Sequence, residues 1–310
     1  GKAHTEVQTR VTMAEHDSET VDNVSPALAA AKYFVKRAEL LAYEFGAATH
    51  PGLKRTENQD HYIVLRRTRT QQLLLTNVPT EELSMPTDEA FGMAVADGMG
   101  GAGRGGLASR LAIREAWDLA GRTTSWLMKL RDVNTQELTE RVEGFVYMMQ
   151  QAFVHEFEHN PDFVNSGTTW TSAYMVSSFA IVAQIGDSPS FLWRDGTFRR
   201  LTTDHTIEQE FIAAGVAPEV AGKYSHMLTR CLRYDALKDR PDIYHVRLQP
   251  NDQLLLCTDG LTDMVSENVI AECVDASPDA QTACDALVSL ALDAGGRDNV
   301  TAVLARARLK

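Results

Sequence analysis

Five aspartates mark the ends of apolar, strand-like runs, and nothing else in the sequence restricts its fold as strongly. Asp97 follows Phe91-Gly92-Met93-Ala94-Val95-Ala96, Asp187 follows a run ending Gln184-Ile185-Gly186, and Asp259 follows Leu254-Leu255-Leu256-Cys257-Thr258. Asp60 and Asp298 stand the other way round, ahead of His61-Tyr62-Ile63-Val64 and Val300-Thr301-Ala302-Val303. In antiparallel pairing the C-terminal end of one strand lies beside the N-terminal end of its neighbour, so the two classes can meet at a single sheet edge. Carboxylates brought that close repel one another unless protonated or neutralised, and oxygen donors without thiolates suit hard cations such as Mg²⁺ or Mn²⁺. A lone Asp-Gly is ordinarily a turn. Five aspartates so arranged point to one shared acidic cluster.

The remaining composition narrows the class. The 310 residues hold 30 basic and 42 acidic side chains, a net charge of −12, which argues against a nucleic-acid binder because the phosphate backbone demands a positive face. With 44% apolar and 23% charged residues the chain has the material of a globular core and is neither fibrous nor wholly disordered. No apolar run approaches the roughly 18 residues of a spanning helix, and no signal-peptide pattern stands at the start, so no membrane partner is expected and the expected location is the cytoplasm. Cys231, Cys257, Cys273 and Cys284 lack C-x-x-C spacing and read as reduced, mostly buried thiols.

Along the chain, residues 1–40 read as a polar lead-in ending in a helix over 26–40, where Ser25 caps and Pro26 suits the first turn. Strands are expected at 43–49, 61–67, 72–77 and 91–96, with an acidic surface loop over 79–89. Helices are expected at 105–120 and 135–159. In the second, Leu138, Val142, Phe145, Val146, Met149, Phe153 and Phe157 recur at helical spacing and form one apolar face. Strands follow at 169–176 and 179–185, then a hairpin turn at Asp195-Gly196. A polar segment over 203–240 carries one short helix. Strands at 243–248 and 253–258, helices at 267–274 and 279–294, and a strand at 299–306 complete the chain. Strands interleaved with pairs of adjacent helices suggest stacked antiparallel sheets covered by helices.

Six motifs together carry a resemblance: Arg55-Thr56-Glu57-Asn58-Gln59-Asp60, Ala96-Asp97-Gly98-Met99-Gly100-Gly101, Ser166-Gly167-Thr168-Thr169, Gly186-Asp187-Ser188, Thr258-Asp259-Gly260 and Asp298-Asn299-Val300-Thr301. In their order and approximate spacing the chain resembles the metal-dependent protein phosphatases of type 2C, and its wording is similar to the bacterial branch. The resemblance implies an α+β, four-layer α/β/β/α sandwich with two central antiparallel sheets flanked by helix pairs. It implies a catalytic domain over residues 41–310, with residues 203–240 as a variable flap beside the site.

The same resemblance implies a serine/threonine phosphatase with two core Mn²⁺ or Mg²⁺ ions and a third, looser one. Two such ions lower the pKa of a bridging water and balance the charge that develops as a phosphomonoester is hydrolysed. By resemblance Asp97 bridges the core ions, Asp259 and Asp298 hold one, and the Gly98 carbonyl holds the other with Asp60 acting through water. Asp187 with Asp259 carries the third, and Arg55 grips the substrate phosphate, for which a planar guanidinium fork is suited. The implied partners are phosphorylated proteins made by a Ser/Thr kinase in a signalling setting, and the enzyme is expected to be a monomer. A catalytically silent, regulatory metal-binding module of the same fold is the alternative.

Two positions depart from the wider family. Gln59 stands where many eukaryotic members have a glutamate ligand. Met99 stands where they have a histidine proposed as general acid, and methionine cannot donate a proton, so the leaving group takes its proton from elsewhere. His205, in Asp204-His205-Thr206, is a candidate helper for that proton, but reads first as a structural turn histidine. Two decoys fall away. Gly98-Met99-Gly100-Gly101-Ala102-Gly103 satisfies the dinucleotide G-x-G-x-x-G, yet Asp118, 20 residues on, lies in a helical stretch instead of at a strand end. The glycines read instead as room for backbone to approach metal and phosphate. His155-Glu156-Phe157-Glu158-His159 matches H-E-x-x-H, but both histidines fall on the polar face of their helix, away from Phe153.

Overall fold

Strands with apolar residues on both faces need cover on both, and this decides the layering. A computed structural model describes residues 41–69, 72–83, 88–100, 104–122 and 135–310. One antiparallel sheet contains β1 (Leu41–His50), β7 (Ser190–Arg194), β8 (Thr197–Arg200), β10 (Gln253–Cys257) and β11 (Val300–Leu309), in the order β1-β11-β10-β7-β8. The other contains β2 (Asp60–Arg69), β3 (Asp88–Met99), β5 (Trp170–Val176), β6 (Phe179–Ile185) and β9 (Asp242–Arg247), in the order β2-β3-β5-β6-β9, with the short β4 (Gly167–Thr168) on β3.

Side-chain alternation assigns the faces. Leu254 and Leu256 of β10, Met93 and Val95 of β3 and Val303 and Ala305 of β11 share a core between the two sheets. Their neighbours Leu255, Cys257 and Leu304 turn outward and meet α6 (Glu267–Ala276) and α7 (Ala280–Asp293) through Ile270, Val274, Ala283 and Leu287. On the opposite flank Ala94 and Ala96 meet α1 (Gly105–Arg122) and α2 (Thr135–His159) through Ala108, Leu111, Met149 and Phe153. The result is helix pair, sheet, sheet, helix pair. The apolar stripe read on α2 is the face that packs: Leu138, Val146, Met149 and Phe153 are buried, with Val142, Phe145 and Phe157 partly so.

The expected strand at 72–77 is not formed. Arg69 of β2 pairs directly with Asp88 of β3, leaving residues 72–77 as irregular chain with Leu74 78% and Leu75 94% exposed. An apolar run becomes a strand only by pairing with a neighbour, and residues 72–77 pair with no strand among the described residues. The expected loop over 79–89 holds a 3₁₀ turn at Thr80–Glu82 and ends as β3 begins at Asp88. The segment 203–240 carries two short helices instead of one, α3 (Ile207–Ala213) and α4 (Pro218–Ala221), followed by a 3₁₀ turn at Gly222–Tyr224. Asp195 and Gly196 turn β7 into β8 with φ of 49° and 78°, the left-handed pair that a two-residue hairpin requires. The lead-in helix at 26–40 lies outside the described residues. Cys231, Cys257 and Cys284 are buried, Cys273 is partly so, and all four are free thiols.

Candidate metal centre

The antiparallel register delivers the aspartates to one place. Asp60, the first residue of β2, is the direct cross-strand partner of Asp97 near the end of β3. Asp187 lies just past β6, in the same sheet. From the other sheet, Asp259 opens the short helix α5 (Asp259–Thr262) immediately after β10, and Asp298 stands two residues before β11, which pairs with β10. Asp97, Asp187, Asp259 and Asp298 line one open cavity of about 1320 Å³, together with Arg55 and Gly98.

Asp60 is buried behind them. Its Oδ2 accepts hydrogen bonds from Thr258 Oγ1 at 2.8 Å and Thr301 Oγ1 at 2.7 Å, so two hydroxyls of one sheet hold a carboxylate of the other. Its Oδ1 is buried with no partner. Burial pushes Asp60 up to about 7, against the two hydroxyl bonds that favour its charge and with the aid of Asp259 and Asp298. Asp97 is raised well above the carboxylate range by burial and then by Asp60, Asp259, Asp187 and Asp298. Asp187 is likewise raised well above it by burial and by Asp259. Burial and Asp263 raise Asp259 to about 6, while a hydrogen bond with Asp97 opposes the rise.

Among the described residues no Lys or Arg forms an ion pair with Asp60, Asp97, Asp187 or Asp259. Buried carboxylates left in this state must be protonated or must share a cation. The donor set is all oxygen, one buried lone-pair site on Asp60 lacks a partner, and the pocket is open to solvent. These features fit one or more hard divalent ions.

Arg55 and Asp298 are placed differently from the separate tasks the resemblance gives them. Arg55 Nε donates to Asp298 Oδ1 at 2.9 Å and Nη2 to Oδ2 at 2.6 Å, a two-pronged pair at the solvent edge that raises the Arg55 pKa. The Gly98 carbonyl oxygen lies against Gly105, where an added Cβ would come within 2.3 Å of it, so the glycines of this turn let the start of α1 sit on the end of β3. His205 is structural, as read: its buried ring accepts from the Gly186 N–H at 3.1 Å through Nδ1 and lies 3.2 Å from Asp242 through Nε2. His155 and His159 are exposed with Glu158, away from this cavity.

Several residues that position the centre carry no role in the sequence reading. Asn299 accepts from the Gln59 N–H at 2.8 Å and donates to the carbonyls of Pro51 and Glu57, clamping the Arg55 loop to the start of β11. Thr169 Oγ1 accepts from the Asp97 N–H at 3.0 Å and shares a 2.7 Å bond with Ser188 Oγ. Thr169, Ser188, Asn299 and Thr301 all sit inside the quoted motifs, so the signal was adjacent to the aspartates. His226 and Asp263, which also line the cavity, fall outside every motif.

Comparison with known proteins agrees with this arrangement. A family model described as Protein phosphatase 2C matches residues 84–291. The serine/threonine phosphatase stp of Listeria welshimeri is 32% identical over 218 residues, which cover 69% of this chain and 84% of that protein. Protein phosphatase PhpP of Streptococcus pneumoniae is 31% identical over 270 residues, covering 84% of this chain and 96% of its own. A crystal structure of the catalytic domain of serine threonine protein phosphatase PstP in complex with two manganese ions superposes with a TM-score of 0.65 at 28% identity, over 86% of this chain and 99% of that one. The sandwich, the converging aspartates and the match over two thirds of its length agree: the chain belongs to the protein phosphatase 2C family.

Proposed function

We propose that the chain is a metal-dependent serine/threonine protein phosphatase whose reaction takes place in the aspartate-lined cavity. The observation that carries this reading is the convergence of four carboxylates from two sheets, Asp60 and Asp187 buried and Asp97 and Asp259 partly so, with no ion-pairing Lys or Arg among the described residues. Mn²⁺ or Mg²⁺ bound there supplies an activated water and balances the charge of the phosphoryl group. Asp97 would be the central ligand; Asp259 and Asp298 would hold one ion, the Gly98 carbonyl and Asp60 the other, and Asp187 with Asp259 a third. Thr258 and Thr301 hold Asp60 Oδ2 and leave the buried Oδ1 without a partner.

Arg55 orients the phosphate, and to do so it exchanges Asp298 for the phosphate oxygens, one bidentate partner for another. The oxygen added to phosphorus comes from water and no phosphoenzyme forms. Cys231, the thiol lining the cavity, is pushed up to about 11 by burial and stays protonated near neutral pH, which disqualifies it as a nucleophile. The catalytic reading is favoured over a silent module because the relatives are named phosphatases. Its finer parts are a domain over residues 41–310 with a flap at 203–240, acting as a cytoplasmic monomer on the products of a Ser/Thr kinase. No helix among the described residues is long and apolar enough to cross a membrane.

The test is hydrolysis of a phosphothreonine peptide by the purified chain with Mn²⁺ and with EDTA. Release of phosphate only with Mn²⁺, carrying ¹⁸O from labelled water in a single turnover, is expected. A fully Mn²⁺-loaded protein inert towards phosphoserine and phosphothreonine peptides, or a trapped phosphorylated enzyme, would contradict the reading.

A further inference from the structure

On one flank of the sandwich each sheet ends in a strand with a single neighbour: β8 closes one sheet and β9 the other, and neither gains a second strand partner among the described residues. A free strand edge leaves backbone N–H and C=O groups open to an incoming chain. Between these edges runs a groove of about 470 Å³, with Leu192, Leu201, Tyr244 and Val246 in its lining. Its arginines are Arg194, Arg199, Arg200 and Arg247, and among the described residues no Asp or Glu lines it. This is a local reversal of sign in a chain of net charge −12. Arg194 is taken up by Asp252, and Arg200 by Asp204 and Glu267. The exposed Arg199 and Arg247 form no ion pair among the described residues.

Strand register gives the groove a direction. Asp242, at the start of β9, pairs with Gln184, three residues before Asp187, and the Thr203 N–H donates to the Tyr244 hydroxyl oxygen at 3.3 Å, so this end points towards the metal centre and the root of the flap. Arg247 pairs with Phe179 at the far end, ~17 Å away at ~3.3 Å per residue. There Arg194 Nη2 donates to the Arg247 carbonyl at 2.7 Å and ties the two edges together.

We propose that this groove docks an extended, acidic segment of the phosphoprotein substrate, separate in sequence from the phosphorylated residue in the cavity. The proposal rests on the phosphatase reading and names the substrate class that reading leaves open. Charge selects the occupant, because Arg199 and Arg247 lack the counter-charges that Glu and Asp side chains supply. An extended segment adds its backbone to a free edge, which gives affinity with little sequence selectivity, and the arginines then give the preference for acid.

Two readouts test it on the wild type and on a variant carrying Arg199→Glu with Arg247→Glu, whose folding a thermal melt checks. In EDTA, fluorescence anisotropy of a labelled, unphosphorylated peptide of alternating Glu and Val follows docking without turnover. With Mn²⁺, KM and kcat are measured for a phosphothreonine peptide with and without that acidic segment joined through a Gly-Ser linker, and for a small aryl phosphate too short to reach the groove. The wild type is expected to bind the Glu-Val peptide in preference to a Lys-Val control, more weakly as salt rises, and the acidic segment to lower KM about tenfold at unchanged kcat. The variant is expected to lose both preferences while hydrolysing the aryl phosphate at the wild-type rate. Equal binding by wild type and variant, or hydrolysis with a KM indifferent to the acidic segment, would overturn the groove and leave the phosphatase reading standing. A protein that binds the peptide but is inert towards every phosphopeptide would overturn the substrate assignment together with that reading. Dimers seen by sedimentation in the wild type and lost in the variant would give the groove to a second copy of the chain and overturn the proposal.

Discussion

Asp60 shows what the centre asks of a single side chain. It is a carboxylate set at the first position of a strand, held by two threonine hydroxyls on one oxygen and left without a partner on the other. Asp97 opposite it is worse placed as an ion-free group, because four other aspartates raise it further. Asp97→Asn removes that repulsion while keeping the shape. Without divalent ions the variant is expected to melt a few degrees above the wild type, ~1 kcal/mol, and with Mn²⁺ to show no hydrolysis of phosphopeptide. A variant that melts lower in EDTA, or one that retains turnover, would contradict the assignment. Arg55→Ala is expected to raise KM for a phosphopeptide about tenfold, the cost of one charged hydrogen-bonding partner, with a smaller fall in kcat. The aspartates were legible because a hydrophobic run that stops at a carboxylate is a local pattern. The Arg55–Asp298 pairing and the approach of His226 to Asp263 were not, since each joins segments whose proximity only the finished fold creates.

At the scale of elements, the ends of β6 and β10 match the sequence reading to within a residue, whereas β3 starts and ends three residues beyond the expected 91–96 and β11 runs three residues past the expected end at 306. The reading fails at 72–77, where three leucines supply the pattern but the segment pairs with no strand among the described residues and leaves Leu74 and Leu75 in solvent. The glycine run after β3 gives a further lesson. Its G-x-G-x-x-G spacing looks like a phosphate cradle, whereas Gly98 and Gly105 touch each other, an added Cβ at Gly98 coming within 2.2 Å of the Gly105 carbonyl. Gly98→Ala must therefore push α1 away from β3 or distort the strand. A loss of about 2–3 kcal/mol in urea unfolding is expected, together with weaker Mn²⁺ binding because Asp97 is the preceding residue. An alanine variant as stable as the wild type would show that the contact is not as tight as described.

For the whole molecule, the sandwich is a device for assembling charge that folding alone does not favour. Asp60 at about 7 and Asp259 at about 6 both lie above the ordinary carboxylate value near 4. Between the two values the folded state binds more protons than the unfolded one, so their contribution to stability is fullest below pH ~4 and is lost as pH rises towards about 7. Thermal melts in EDTA are expected to fall between about pH 5 and pH 7.5. Saturating Mn²⁺ should lift the upper end of that range most, because the ion binds the ionised folded form and not the unfolded chain. Melting temperatures that rise with pH in EDTA would mean that the carboxyls are not crowded as described.

The claim beneath all of these is that aspartates from two sheets hold divalent ions in common. Anomalous scattering at the manganese edge, from crystals equilibrated with Mn²⁺, tests it most directly. At least two peaks are expected within the cavity, with Asp97 bound to both and Asp259 to one of them. Peaks confined to the exposed His155–His159 face, or none beside Asp97, would contradict it.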